Sequence, residues 1–287
     1  LHEDQVTDET LAGYGLVVLF DVELLPEPVA ARIAQFVRNG GTVIADCAPR
    51  LNEMKQPTST LEDVFGVTGM SGARIRRSGH WVPSKTSAPS WANMPENPAD
   101  ESVFATDTLT GTVVGQAIDV KLVSPRSCTV TTAEVLARSG AGQPAILHRK
   151  AGNGQAYLLG LCLQDTYFQT WDDDNAAARA QLLGLLNAIT RAAGVYPHVY
   201  SSNPDIEAAL RAGDREGFLF VINHETEEAA VTVQMRNLPF PIGSIVNLAD
   251  GQSVPYTREG DAARLSLSVP LGEVRLFNVL PKEESQP

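Results

Sequence analysis

Residues 16–45 hold the pattern that narrows the fold most. Leu16-Val17-Val18-Leu19-Phe20 is an unbroken apolar run rich in β-branched side chains, which suits a strand buried on both faces of a parallel sheet. Pro26 and Pro28 follow where a helix should open, because a fixed φ suits the first turn and the missing N–H has no helical partner there. Val29, Ile33, Phe36 and Val37 then recur at i, i+4, i+7 and i+8, one face of a helix. Gly40-Gly41 stops it, and Thr42-Val43-Ile44-Ala45 makes a second apolar strand. Strand, helix and strand within about 30 residues predict a βαβ unit with a right-handed crossover.

Beyond this unit the punctuation changes. Ser59-Thr60-Leu61-Glu62 has the capping-box pattern of a short helix that Gly66 ends. Between residues 70 and 143, stretches such as Thr112-Val113-Val114-Gly115 and Ile118-Asp119-Val120-Lys121-Leu122 read as short antiparallel strands. A loop over 79–101, rich in Pro, Ser and Asn, carries Trp81 and Trp91; loops of that length are commonly functional or interfacial. Gly152-Asn153-Gly154 between two apolar runs predicts a hairpin. Asp172-Asp173-Asp174 precedes a long helix with the stripe Ala178, Leu182, Leu186, Ile189 and Ala193, and Gly194 ends it. The domain boundary is placed there, giving an α/β domain over 1–195 and a second domain over 196–287.

The second domain reads as all β. Phe218, Phe220 and Ile222 alternate, as do Val231 and Val233, then Leu265, Leu267 and Val269, with turns at Gly213-Asp214, Asp250-Gly251 and Gly260-Asp261. This spacing predicts a small antiparallel sandwich. In the first domain only two clear parallel strands precede the irregular middle, whereas a doubly wound sheet normally holds more. The expectation is a domain truncated at its N-terminus, with Leu1-His2-Glu3-Asp4 a cut or processed end.

A 43% hydrophobic composition spread over 287 residues excludes a disordered chain. The formal net charge of -12 argues against a nucleic-acid surface or an anionic membrane partner. The one basic cluster, Arg74-Ile75-Arg76-Arg77, is short. No apolar run reaches the length of a bilayer span. Cys47, Cys128 and Cys162 are too few for a disulfide framework and lack metal-binding spacing, which fits a reducing, cytoplasmic compartment.

Three segments together carry a family resemblance. Tyr14 to Val22, Leu24-Leu25-Pro26-Glu27 and Val37-Arg38-Asn39-Gly40-Gly41-Thr42-Val43 resemble the trimerisation domain of family 42 β-galactosidases. Gly152 to Gly160, followed by a helix ending Ala193-Gly194-Val195, is similar to the same family. Phe218 to His224 is similar to the first strands of its C-terminal β domain. The resemblance implies a flavodoxin-type, class I glutamine-amidotransferase-like sheet without amidotransferase chemistry. It further implies homo-oligomers (trimers) and a parent enzyme acting on carbohydrate. That family's catalytic carboxylates lie in an upstream barrel with no counterpart here, so no catalytic, cofactor-binding or metal residue carries over, and no cofactor is expected.

Several residues carry chemical potential of their own. Cys47 follows the second strand's carboxyl end, where α/β sheets place their sites. A nucleophile there needs a glycine-flanked elbow and a base. Ala45-Asp46-Cys47-Ala48-Pro49 has no glycine, and none of His2, His80, His148, His198 and His224 stands in a His-x-Glu pair. The three consecutive acids at 172–174 suit a helix start better than a cation loop, which spaces its ligands. Trp81, Trp91 and Trp171 suit either an interface or stacking on a sugar. His224-Glu225 reads as an exposed turn. The leading expectation is therefore an accessory, oligomerising region of a β-galactosidase-like hydrolase. The alternatives are a cysteine hydrolase using Cys47 and a carbohydrate-binding module.

Overall fold

A computed structural model describes residues 2–71, 106–123, 126–172, 174–203, 205–224, 226–260 and 262–282. The chain divides into two compact units, Leu1–Val195 and Tyr196–Pro287. In the first, helix α1 (Asp8–Ala12) starts at Thr7, whose hydroxyl accepts the Thr10 N–H. Strand β1 (Leu16–Leu19), helix α2 (Glu27–Arg38) and strand β2 (Thr42–Ala45) form the βαβ unit, with β1 and β2 parallel and Leu16 opposite Thr42. Helix α3 (Thr60–Phe65) and strands β3 (Val67–Ser71), β4 (Thr106–Val113), β5 (Gln116–Val123), β6 (Ser127–Val130), β7 (Glu134–Ser139), β8 (Pro144–Ala151) and β9 (Gly154–Leu159) follow. Helices α4 (Leu163–Asp172) and α5 (Ala176–Ala192) complete the unit.

One seven-stranded sheet in the order β1-β2-β9-β8-β7-β4-β5 organises this unit, and β3 pairs with β6 apart from it. The sheet is mixed, which corrects the expectation of a parallel sheet. Only β1, β2 and β9 run parallel to one another. The remaining strands join through antiparallel pairings. The reason is local: β8 and β9 are linked by Gly152-Asn153 alone, and a two-residue connection can only make an antiparallel hairpin. Gly154 is required at the start of β9, because a Cβ there would sit 2.1 Å from the carbonyl oxygens of Gly41 and Val37.

Each face of the sheet holds a core. On one, Ile33, Val37, Leu61 and Phe65 from α2 and α3 meet Val43, Leu147 and Leu158. On the other, Leu182, Leu185 and Ile189 of α5 meet Ile44, Ile146, Tyr157 and Leu159. All four residues of β2 are buried, which is why that run shows no alternation. In α5, Leu185 is fully buried and Leu186 only partly. Burying each such aliphatic side chain contributes about 1.5–3 kcal/mol, enough for this face to fix α5 in place.

Two capping expectations are corrected. Ser59 precedes α3 without a side-chain cap bond. Glu62 instead accepts the Met70 N–H at 2.9 Å, because it is buried toward β3. Gly66 ends α3 in the left-handed region. The cap of α5 is Asn175, which accepts the Ala178 N–H at 3.0 Å. Asp172 belongs to α4, a helix the sequence reading missed; Asp173 lies outside the described residues, and Asp174 forms the turn at positive φ.

The second unit comprises β10 (Val199–Ser201), β11 (Ile206–Ala212), β12 (Gly217–Asn223), β13 (Ala229–Met235), β14 (Ile242–Asn247), β15 (Thr257–Glu259), β16 (Ala262–Val269) and β17 (Val274–Pro281). They form two four-stranded antiparallel sheets, β10-β13-β16-β15 and β11-β12-β17-β14. Val231, Val233, Leu265 and Val269 line the core between them, with Leu267 packed against it. In β12 the alternation is real but inverted: Leu219 and Val221 enter the core, while Phe218, Phe220 and Ile222 occupy the other face. Both sides of that strand are apolar, so periodicity alone could not say which faced inward. Among the described residues no helix is long and apolar enough to cross a membrane.

Candidate functional site

In an open α/β sheet the crevice beyond the carboxyl ends of the parallel strands is where ligands bind. Here, side chains from three places and a backbone carbonyl from a fourth converge on that crevice. Glu23 follows β1, Asp46 and Cys47 follow β2, and Arg126 enters from the segment before β6. Gly160, just past β9, accepts the Arg126 N–H at 2.9 Å. Arg126 is 4% exposed, and its Nη1 donates to Glu23 Oε1 at 2.9 Å. Asp46, 1% exposed, accepts the Asp21 N–H at 2.8 Å. Asp21 can present that amide because it sits at a positive φ of 58°. Arg50 reaches toward the same Glu23 at 3.9 Å and also donates to the Met70 carbonyl at 3.1 Å.

The electrostatics of the crevice are those of a filled slot. Burial pushes the Asp46 carboxyl above its ordinary range, opposed by the Asp21 N–H and by Arg126. Burial also pushes the Cys47 thiol up to about 11, and its Sγ donates to the Ala48 carbonyl. The charged groups acting on Cys47 are Arg126, Glu23, Asp46 and Arg50; none is a histidine. A nucleophilic cysteine needs the thiolate and an accessible sulfur. At neutral pH Cys47 has neither, so the position of an elbow nucleophile is taken by a protonated thiol beneath an arginine–carboxylate cluster.

A second constellation lies on a shallow depression of about 440 Å³ lined by Thr132, Glu134, His148, Arg149 and Lys150. His148 stacks on Tyr157 with ring centroids 4.7 Å apart. Its Nε2 lies 3.2 Å from Gln155 Oε1, and its Nδ1 lies 3.6 Å from Glu134 Oε2. Gln155 Oε1 can only accept, so that contact places the proton on Nε2, and the distance to Glu134 is longer than a hydrogen bond. Tyr157 is 3% exposed and offers no ring face to a sugar.

The remaining sequence candidates do not converge. Trp81, Trp91 and the basic cluster 74–77 lie outside the described residues, as does Glu225. Trp171 is on the last turn of α4, with its side chain outside the described set. His224 pairs with Glu207 at 3.0 Å in the second unit. Sequence reading missed Arg126 and Glu23, which no motif links; their contact spans 103 positions, and only the strand ends adjoining them hinted at a meeting point.

No family model and no curated protein matches the sequence. In fold, the chain resembles solved glycoside hydrolases, and in particular the family 42 β-galactosidases. A catalytic mutant of Gan42B, a family 42 β-galactosidase from G. stearothermophilus, superposes with a TM-score of 0.59 at 16% identity, over 97% of this chain and 33% of that one. The β-galactosidase from Bacillus circulans sp. alkalophilus gives 0.61 at 18% identity, over 93% and 33%. The α-L-fucosidase isoenzyme 2 from Paenibacillus thiaminolyticus gives 0.59 at 15% identity, over 94% and 41%. The chain therefore spans about a third of the length of the β-galactosidases it matches.

Proposed function

We propose that this chain is a non-catalytic, accessory region of a β-galactosidase-like glycoside hydrolase. The first unit is a divergent amidotransferase-like domain that has become an assembly element, and it forms homo-oligomers, trimers by analogy. The catalytic carboxylates of such an enzyme belong to a part of the protein beyond these residues. One observation carries the reading: the crevice beyond β1, β2 and β9 is occupied by the chain's own Arg126, Glu23 and Asp46. Arg126 and Asp46 are buried there and hydrogen-bonded within the chain, so neither charge is presented to a substrate.

The test is enzymatic and chemical together. The 287-residue chain alone should not hydrolyse nitrophenyl β-galactoside, and Cys47 should resist iodoacetamide at neutral pH until the protein is unfolded. Galactoside hydrolysis by this chain alone would overturn the accessory reading, as would rapid alkylation of native Cys47 with loss of any amidase or esterase activity. Light scattering addresses assembly separately: a strict monomer at every concentration would remove the oligomerising role.

A further inference from the structure

The two sheets of the second unit treat solvent differently. On the outer face of β10-β13-β16-β15 stand Gln234 opposite Arg264, Thr232 opposite Ser266 with hydroxyls 3.1 Å apart, and Ser268. That is the polar outer face an antiparallel sandwich normally turns to water. The outer face of β11-β12-β17-β14 is built otherwise. Its register sets three rungs: Arg211, Phe218, Asn278 and Val246; then Ala209, Phe220 and Leu276; then Glu207, Ile222 and Val274. Leu248, 45% exposed, is tied beside Leu276 by its N–H, and Val274 is 54% exposed. An apolar sheet face with a charged rim is the anatomy of a protein interface. A sugar platform would need several hydrogen-bonding groups among the aromatics, and the middle rung has none.

We infer that this face packs against the same face of a second copy of the chain, sheet on sheet, about a twofold axis lying across the strands over the Phe220 rung. The rim charges select that partner. Glu207 and Arg211 project from one face of β11 at opposite ends of the patch, separated by about 13 Å at the rise of an extended strand. A twofold through the middle rung lays the first rung of one copy on the third rung of the other. Each Arg211 then meets the partner copy's Glu207, and Phe218 packs on Ile222. Among the described residues Arg211 has no ion-pair partner within its own chain, while Glu207 holds only the exposed His224. Contact of this kind is isologous and closes at two copies.

Sedimentation velocity on the intact chain, across a hundredfold concentration range, tests this. The parent should sediment at twice the mass of both Glu207→Arg and Phe220→Asp. Each substitution should weaken association about a hundredfold, Glu207→Arg by setting it against the partner copy's Arg211 and Phe220→Asp by burying a charge in the apolar middle rung. Glu207→Arg combined with Arg211→Glu should restore the parent's mass. Circular dichroism checks that each variant remains folded, since Phe220 is partly buried. A mass that neither variant lowers, or a charge swap that fails to rescue, overturns the inference. This outcome is separable from the assembly proposed for the first unit: a trimer unaffected by these substitutions removes the sandwich interface alone, whereas a halved mass establishes it in either case.

Discussion

Replacing Arg126 by methionine should destabilise the first unit by about 3 kcal/mol, the lower end of the cost of stripping one partner from a buried ion pair. Methionine fills much of the arginine slot, so lost packing is a minor part of the effect. Glu23 has a side chain 30% exposed and can rehydrate. Asp46 cannot, being 1% exposed; it keeps the Asp21 N–H but loses its nearby cation. Its carboxyl, already raised by burial, should rise further. A carboxyl with a raised folded pKa is relatively favourable below its unfolded value, about 3.9, and costs stability as pH climbs through the folded value. The deficit of Arg126→Met should therefore be largest at neutral pH and shrink in acid. Urea unfolding followed by far-ultraviolet circular dichroism should show the midpoint falling by about 1 M for a unit of this size. The double variant Arg126→Met, Asp46→Asn should recover much of the loss, since no buried charge is left unpaired. A midpoint shift under about 0.3 M, or a double variant no better than the single, would refute the claim that Arg126 neutralises the crevice.

Other expectations rest on single contacts. Gly154→Ala should cost about 3 kcal/mol or more in the same unfolding assay, because its Cβ would meet two backbone oxygens at 2.1 Å and backbone cannot yield as a side chain does; a loss below about 1 kcal/mol would mean that α2 and β9 are not so closely apposed. The Glu27 carboxylate is held below its ordinary range by the hydroxyls of Thr58 and then Thr60, which contributes stability above its unfolded pKa and loses it as pH falls through the lower folded value. Glu27→Gln should thus be less stable than the parent by roughly 1 kcal/mol at neutral pH, discounted for exposure, and equal to it in strong acid. Paired thermal melts at the two pH values check this; an equal deficit at both would exclude the charge as the cause.

What could be read in the sequence was what lies close along the chain. The βαβ unit announced itself through runs buried on both faces and through Pro and Gly at its joints. The hairpin at Gly152-Asn153 was legible for the same reason. Phe218, Phe220 and Ile222 show the limit, because alternation gives a period and leaves the inward side undecided when both sides are apolar. Helix α4 was missed: Leu163–Asp172 carries a weak apolar stripe, and the acids that follow looked like its neighbour's cap. The crevice was legible only as a place. Cys47 drew attention by standing at a strand end, whereas burial holds it protonated, and Arg126, which lies above it with Glu23, arrives from far along the chain without any motif.

The mixed sheet also sets an order of assembly. The β8–β9 hairpin joins neighbours across two residues and belongs to the microsecond events of folding. The parallel pairing of β2 with β9, Ile44 beside Tyr157, must first close a loop of about a hundred residues, whose entropy cost is met before any contact repays it. The β1–α2–β2 unit therefore waits, with one edge of β2 unpaired, until β9 arrives. Arg126 lies within that loop, and its contact with Glu23 spans 103 positions, so it carries a similar closure cost. The charge cluster that seals the crevice is thus a late contact of folding, and weakening it should speed unfolding far more than it slows refolding.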